Sequence, residues 1–362
     1  MRLNHIQLTN FRNFASIDAT FDINKNVNLF FGNNAQGKTN FLDAIALLSL
    51  AKSFRSPKYN TLIKWDEDFT RIVGNAQYEG NDLKLEFFAS IAPIAKKNLR
   101  KNGVDVGVKD FIGQMNTVLF HPEDMNMLYL SPSLRRKYVD TILSQTDPAY
   151  FDSIVNYNRL IKQRNKLLVL IHDGQAKIDE LTVWDDKVAM YGIYINNKRN
   201  QLVDFFNTVL PGNYNKISQT GDKITMKYVQ SLTLNDNTKE AYLKGLQSAL
   251  NNDLRYGQST KGVHRDDVKF DYNGHDISEF GSRGEMRTIV IALKLSEIAY
   301  IEKETGRKPI LLLDDVFSEL DNSRQKFLIE TISNFQSFVT TTHYDFDLGN
   351  ASVFEIEAGR VL

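Results

Sequence analysis

Two short stretches at opposite ends of this 362-residue chain carry residues whose types and spacing suit one chemistry. Near the amino terminus, Gly32-Asn33-Asn34-Ala35-Gln36-Gly37-Lys38-Thr39 satisfies the P-loop pattern, with two glycines five residues apart followed by lysine and threonine. Glycines let backbone N–H groups turn inward onto phosphate oxygens. The lysine places an ammonium on the β and γ phosphates, and the threonine hydroxyl suits Mg²⁺. Near the other end, Ile310-Leu311-Leu312-Leu313 runs into Asp314-Asp315. An apolar run ending in carboxylates is how a strand buried on both faces delivers a Mg²⁺ partner to a phosphate loop. Asp314 is the expected metal partner, beside Thr39. Asp315, one residue further, is placed to orient or deprotonate an attacking water. Together these residues predict the binding of a nucleoside triphosphate with Mg²⁺.

Particular elements must position them. Val27-Asn28-Leu29-Phe30-Phe31 is a short apolar strand leading into the loop, and Asn40 to Leu50 has helical apolar spacing without Pro or Gly. Leu3 to Leu8 alternates as a half-buried strand does, and further strands are expected at Thr70–Val73 and Leu83–Phe88. From Leu134 to about Leu210 the pattern is long and helical, with Pro211-Gly212-Asn213 as its expected end. A strand near Lys223–Val229 and a helix over Thr238–Leu254 follow, and then α/β character returns. The two halves of the phosphate site lie on either side of this helical middle, so the middle is an insertion. We expect an ATPase lobe from 1–128 and 258–362 and an inserted, mainly helical lobe from 129–257. No heptad is sustained, which argues for a bundle over a long coiled coil.

Composition sets outer bounds. Lys and Arg number 44, as do Asp and Glu, so any nucleic-acid contact must come from local clusters. The densest is Lys96-Lys97-Asn98-Leu99-Arg100-Lys101, in an expected exposed hairpin; Arg135-Arg136-Lys137 and Lys162-Gln163-Arg164-Asn165-Lys166 lie on helices. Lys96, Lys97, Arg100, Lys101, Arg135 and Arg136 are the candidate DNA contacts, set against the plain alternative of solvated charged faces. With no base-reading motif, such contacts would be independent of sequence, to single- or double-stranded DNA, and weakened by salt. There is no cysteine, hence no disulfide and no thiolate chemistry. The start, MRLNHIQLTNFRNF, has no signal-peptide pattern, and no apolar stretch approaches the roughly 18 residues of a membrane span. A cytoplasmic protein without a membrane partner is expected.

The remaining motifs carry a resemblance. Ser282-Arg283-Gly284-Glu285 opens a helix and resembles the signature motif of ABC-type ATPases; Ser318-Glu319-Leu320-Asp321 looks like their D-loop; Thr341-Thr342-His343 follows a strand as their switch histidine does. Leu8-Thr9-Asn10-Phe11-Arg12-Asn13-Phe14, Lys52-Ser53-Phe54-Arg55, Phe120-His121-Pro122-Glu123-Asp124, Gly262-Val263-His264-Arg265-Asp266-Asp267 and the P-loop itself resemble the RecF family of bacterial recombination mediators. The likeness runs from the first residues to His343.

That resemblance implies an α/β fold: a P-loop ABC-type ATPase head, a mixed sheet with an antiparallel part, carrying an inserted α-helical lobe and lacking the long coiled coil of SMC proteins. It implies a homodimer formed with ATP, each nucleotide closed by Ser282, Arg283, Gly284 and Glu285 of the other copy, with Ser318 and Asp321 in the D-loop. Arg55 would reach the phosphates, Arg12 would lie near the nucleotide, and His343 would sense the γ phosphate. The family setting is DNA damage, the SOS response, replication and repair, with RecO and RecR as partners in loading recombinase. The expected activity is weak, DNA-stimulated ATP hydrolysis that serves as a switch. Two positions depart from pattern: Asp315 stands where most ABC ATPases have Glu, and Val263 where the family commonly has proline. No Q-loop glutamine stands out; Gln114 is the nearest candidate, and the His121-Pro122-Glu123 turn is the alternative. The competing reading is a transporter-coupled ABC subunit, disfavoured because Ser-Arg-Gly-Glu replaces Leu-Ser-Gly-Gly.

Overall fold

The structure is a computed structural model that describes residues 1–232, 236, 238–342 and 348–361. It divides into two compact units. The first holds Met1–Asp124, Lys216–Gln219 and Arg287–Leu362, the second Met125–Asn215 and Thr220–Met286.

The first unit is built on two six-stranded sheets. In one, Phe14–Thr20, Arg2–Phe11, Phe69–Tyr78, Asn81–Ser90, Lys96–Lys101 and Val104–Asp105 run antiparallel in that spatial order. Two of its turns are two-residue hairpins, Glu79-Gly80 and Asn102-Gly103. All four of these residues have positive φ, the geometry whose twist matches flanking strands. In the other sheet, Ala351–Glu357, Val27–Phe31, Ser337–Thr341, Ile310–Asp314 and Thr117–Phe120 are parallel neighbours, and Arg360–Val361 adds an antiparallel edge. The mixed architecture with an antiparallel part is the one the sequence leads to.

The helix Lys38–Leu50 touches strands of both sheets, and ten of its thirteen residues are buried. From Phe41 to Leu48 it is apolar on nearly every side, with Asp43 the buried exception, because that stretch is enclosed between the sheets. Phe30, Phe41, Phe338 and Phe354 pack their rings on this side of the parallel sheet, with Phe30 and Phe41 centroids 4.4 Å apart. On the other face, Val27, Leu29, Leu311, Leu313 and Val339 pack against Ile298 and Ile301 of the helix Arg283–Thr305 and Leu328 and Ile332 of the helix Asn322–Ile332. Period-2 alternation divides the strand residues between these two layers.

The second unit contains the helices Pro132–Thr146, Pro148–His172 and Lys239–Tyr256, most of the helix Thr182–Ser218, and a three-stranded antiparallel sheet of His275–Asp276, Asp267–Tyr272 and Ile224–Val229. The helix Thr182–Ser218 does not stop at Pro211. Phe206, Leu210 and Tyr214 are buried on either side of it, so packing outweighs the missing N–H. Residues 258–286, expected with the ATPase lobe, fall in the second unit. The strand Asp267–Tyr272 is hydrogen-bonded along its length to Ile224–Val229, which ties the segment there.

Candidate nucleotide-binding site

The phosphate loop leaves the parallel sheet at Phe31 and re-enters regular structure at Lys38. Gly32 and Gly37 have φ of 151° and 118°, and Ala35 is also left-handed at 65°. A Cβ on Gly32 would collide with the Ile356 carbonyl, and one on Gly37 would lie 2.5 Å from Asn13 Nδ2. Glycine is therefore required at both positions by conformation and by space. Asn13 braces the loop: its Nδ2 donates to the Gln36 carbonyl (2.8 Å) and its Oδ1 accepts from Asn40 Nδ2 (2.7 Å). The Gln36 side chain accepts from the Ala358 N–H at 2.6 Å.

The helix that starts at Lys38 has no side-chain cap and no acidic residue in its first turn. Its leading amides and the positive end of its dipole therefore have no side-chain acceptor of their own, as a phosphate site requires. Lys38 is 7% exposed, and its ammonium donates to the carbonyls of Gly32 (2.5 Å) and Asn33 (2.9 Å). Burial lowers its pKa, which the charges of Asp315 and Asp314 oppose.

Thr39 Oγ1 donates to Asp314 Oδ1 at 2.8 Å, joining residues 275 apart in sequence. Thr340 places its hydroxyl 2.8 Å from the same oxygen. The other carboxylate oxygen lies 3.5 Å from His121 Nε2. Because the Glu123 N–H donates to His121 Nδ1 (3.1 Å), the neutral ring carries its proton on Nε2, toward Asp314. His121 follows the strand Thr117–Phe120, which pairs in parallel with the acidic strand, so it emerges at the same sheet edge as Asp314. Gln114 precedes that strand and lies toward its other end, while the His121 turn lies beside Asp314. Asp315 has a φ of 49°, and its N–H bonds Thr340 O and Oγ1, each at 3.1 Å. Its Oδ1 is buried with no hydrogen-bond partner. Burial, and then the neighbouring charge of Asp314, raise this carboxyl above the ordinary aspartate range. A strained residue holding an unsatisfied carboxylate oxygen beside a lysine and a metal-type carboxylate suits a water-handling role.

The donor set fits MgATP. Among the described residues no cluster of three or more His, Cys, Asp or Glu exists that would hold a metal unaided. A Mg²⁺ held by Thr39 and Asp314 would therefore complete its shell with substrate phosphates and water.

Arg12 lies within reach of the loop's helix but is committed to a pair: its Nε and Nη2 donate to the buried Asp43 at 3.0 and 2.6 Å. Ser53 and the Phe54 N–H complete that carboxylate's shell. Arg55 bonds the Asn40 side chain, one residue beyond Thr39. Ser318 donates to the Asp315 carbonyl (2.8 Å), and Asp321 caps the helix Asn322–Ile332 through the Arg324 N–H (2.9 Å). His343 lies outside the described residues. Sequence reasoning missed Asn13 and Thr340 as parts of the site. The polar Thr340 in an otherwise buried strand was the available signal for the latter.

In the second unit, Ser282 and Glu285 form a reciprocal capping box. The Ser282 N–H donates to Glu285 Oε2 (2.8 Å) and the Glu285 N–H to Ser282 Oγ (3.3 Å). Arg283 and Gly284 form the first turn of the helix so capped.

The candidate DNA contacts divide. In the first unit, Lys97 donates to the Ala51 carbonyl (2.6 Å) and Arg100 to Asp105 (2.6 Å), while Lys96 is exposed and Lys101 half-buried at the ends of their strand. In the second, Arg135 is buried and bidentate to Asp267 at 2.8 and 2.9 Å, and Arg136 donates to the Asp266 carbonyl at 2.6 Å.

Comparison with known proteins gives concordant results. Residues 2–354 match the family model of the RecF/RecN/SMC N terminal domain. The DNA replication and repair protein RecF of Streptococcus pneumoniae (strain ATCC 700669 / Spain 23F-1) is 38% identical over 369 residues, spanning 99% of this chain and 98% of its own. Solved structures of the recombination mediator protein RecF-ATPrS and RecF-ATP, in the RecFOR pathway, each superimpose with a TM-score of 0.92 at 35% identity, over 99% of this chain. The Smc head domain of Pyrococcus furiosus, at 15% identity and a TM-score of 0.55, shares the fold.

Proposed function

The chain belongs to the RecF family, whose fold is that of ABC/SMC-type ATPase heads, and from that premise we propose that it is an ATP-dependent DNA-binding protein of recombinational repair and replication restart. ATP binding drives head-to-head dimerisation on DNA, and slow hydrolysis releases it. In that state the protein helps RecO and RecR load recombinase at gaps, in the cytoplasm. Among the described residues no helix is long and apolar enough to cross a membrane.

The observation that carries this reading is the 2.8 Å contact of Thr39 with Asp314, which joins the phosphate loop to the acidic strand. Lys38 and the amides at the start of its helix bind the phosphates. Thr39 and Asp314 hold Mg²⁺, which neutralises phosphate charge when bound. Asp315 takes the proton of the water that attacks the γ phosphorus as the bond to ADP breaks. His343 senses the γ phosphate, and Ser282 to Glu285 of a second copy close the nucleotide. Dimerisation and ATP binding then strengthen each other by one common factor.

The test measures ATP hydrolysis with and without duplex DNA, and molecular mass with and without ATP. DNA-stimulated turnover and ATP-dependent dimers are expected; Lys38→Arg abolishes hydrolysis, and Ser282→Arg blocks dimers while monomers still bind ATP. A chain that stays monomeric with ATP and ignores DNA would refute the proposal.

A further inference from the structure

The basic clusters of this chain are not equivalent once their partners are known. Lys97, Arg100, Arg135 and Arg136 each spend a donor on a carboxylate or a backbone carbonyl. A cation so committed is held in place by its own chain, and in Arg100 and Arg135 a carboxylate also offsets its charge. The helix Pro148–His172 differs. From Ser153 to His172 it contains no acidic residue. Its buried side includes Tyr157, Ile161, Arg164 and Leu168, and there Arg164 is held by Asp185 and Asp253, each at 2.6 Å. At about 100° per residue, Arg159, Lys162 and Lys166 point about 140–200° away from Tyr157, on the opposite face. All three are exposed, and none makes an ion pair among the described residues. They span about 10 Å of helix, comparable to a few successive phosphates of one DNA strand.

We propose that Arg159, Lys162 and Lys166 form the phosphate-contacting stripe by which the second unit grips the backbone of duplex DNA. This rests on the DNA-binding function proposed above and assigns it to a surface. Charge complementarity selects a polyanion. The side chains flanking the cations on that face, Val155, Gln163, Val169 and Leu170, are aliphatic or amide. They offer no aromatic platform within the stripe, and the exposed Tyr256 lies only toward its carboxyl end, next to Gly257 against Val169, so the stripe itself suits a duplex backbone. It reads no bases and sets affinity without sequence preference.

The experiment follows fluorescence anisotropy of a labelled duplex with the full chain and ATP over a salt series. The triple variant Arg159→Ala/Lys162→Ala/Lys166→Ala is compared with Lys96→Ala/Lys101→Ala and with the charge-keeping Arg159→Lys/Lys162→Arg/Lys166→Arg. Three lost phosphate contacts lower the slope of log affinity against log salt by about 2.7 and weaken binding at low salt on the order of 10²-fold. The charge-keeping variant retains the slope. Circular dichroism and thermal melting show whether the exposed substitutions leave the fold intact. A folded triple variant with the parental slope overturns the assignment, as does a loss of slope confined to Lys96→Ala/Lys101→Ala. If the parent protein itself ignores the duplex at every salt, the proposed function falls and the assignment with it.

Discussion

Two buried polar centres in this molecule are built on opposite terms. In the second unit, the fully buried Arg199 spends its nitrogens on Asp140 (2.9 Å), the Tyr150 hydroxyl (3.1 Å), the Tyr228 hydroxyl (3.3 Å) and the Val263 carbonyl (2.7 Å). In the first unit, Asp315 sits in a left-handed conformation with one carboxylate oxygen buried and unpartnered. A polar group satisfied by its own chain fixes shape. One left strained and short of partners has its requirement met by something that arrives. The contrast separates scaffold from site without reference to any relative.

The sharpest way to break that contrast is to cut each centre and see what is lost. Arg199→Met leaves Asp140 without its cation, and is expected to lower unfolding free energy by about 3–5 kcal/mol in chemical denaturation. A loss below about 1 kcal/mol would place this arginine among ordinary surface groups.

A second probe uses pH. His264 accepts from the Tyr157 hydroxyl at Nδ1 (3.1 Å) and donates from Nε2 to the Ser259 carbonyl (3.0 Å), and burial pushes its pKa down to about 4. The unfolded chain, with an ordinary value near 6.5, binds a proton first as pH falls. Stability is therefore full above about pH 6.5 and declines toward pH 4, by about 3 kcal/mol from this group. Urea midpoints measured from pH 7 to pH 4 should fall less steeply for His264→Gln than for the parent. Parallel curves would remove His264 from the scaffold account.

The smallest effect is expected at Ser282. As half of a capping box, its replacement by alanine costs about 1 kcal/mol of stability, while ATP-dependent dimers are lost. If stability drops and dimers persist, the motif is a helix cap and nothing more.

Sequence legibility follows the same division. The phosphate loop, its strand and helix, and the Asp314 pair were readable because local spacing and conformation dictate their residue types. The α/β head followed from them. Arg199 and His264 were not readable as a network: their partners come from separate helices and strands, and no short-range pattern links Asp140, Tyr157, Tyr228 and Ser259. Pro211 misled because local propensity ends a helix that buried Phe206, Leu210 and Tyr214 carry onward. Arg135 read as an exposed cation because its bidentate partner, Asp267, lies 132 residues away. His121 could be placed opposite Asp314 only once the two parallel strands were paired in register.

The most direct test of the central claim is Asp315→Asn, assayed for MgATP binding, turnover and unfolding free energy on one preparation. The account predicts unchanged binding, stability equal to or above the parent's because a partly desolvated charge beside Asp314 is gone, and turnover reduced about 10²-fold or more. Parental turnover, or a stability loss as large as that of Arg199→Met, would contradict it.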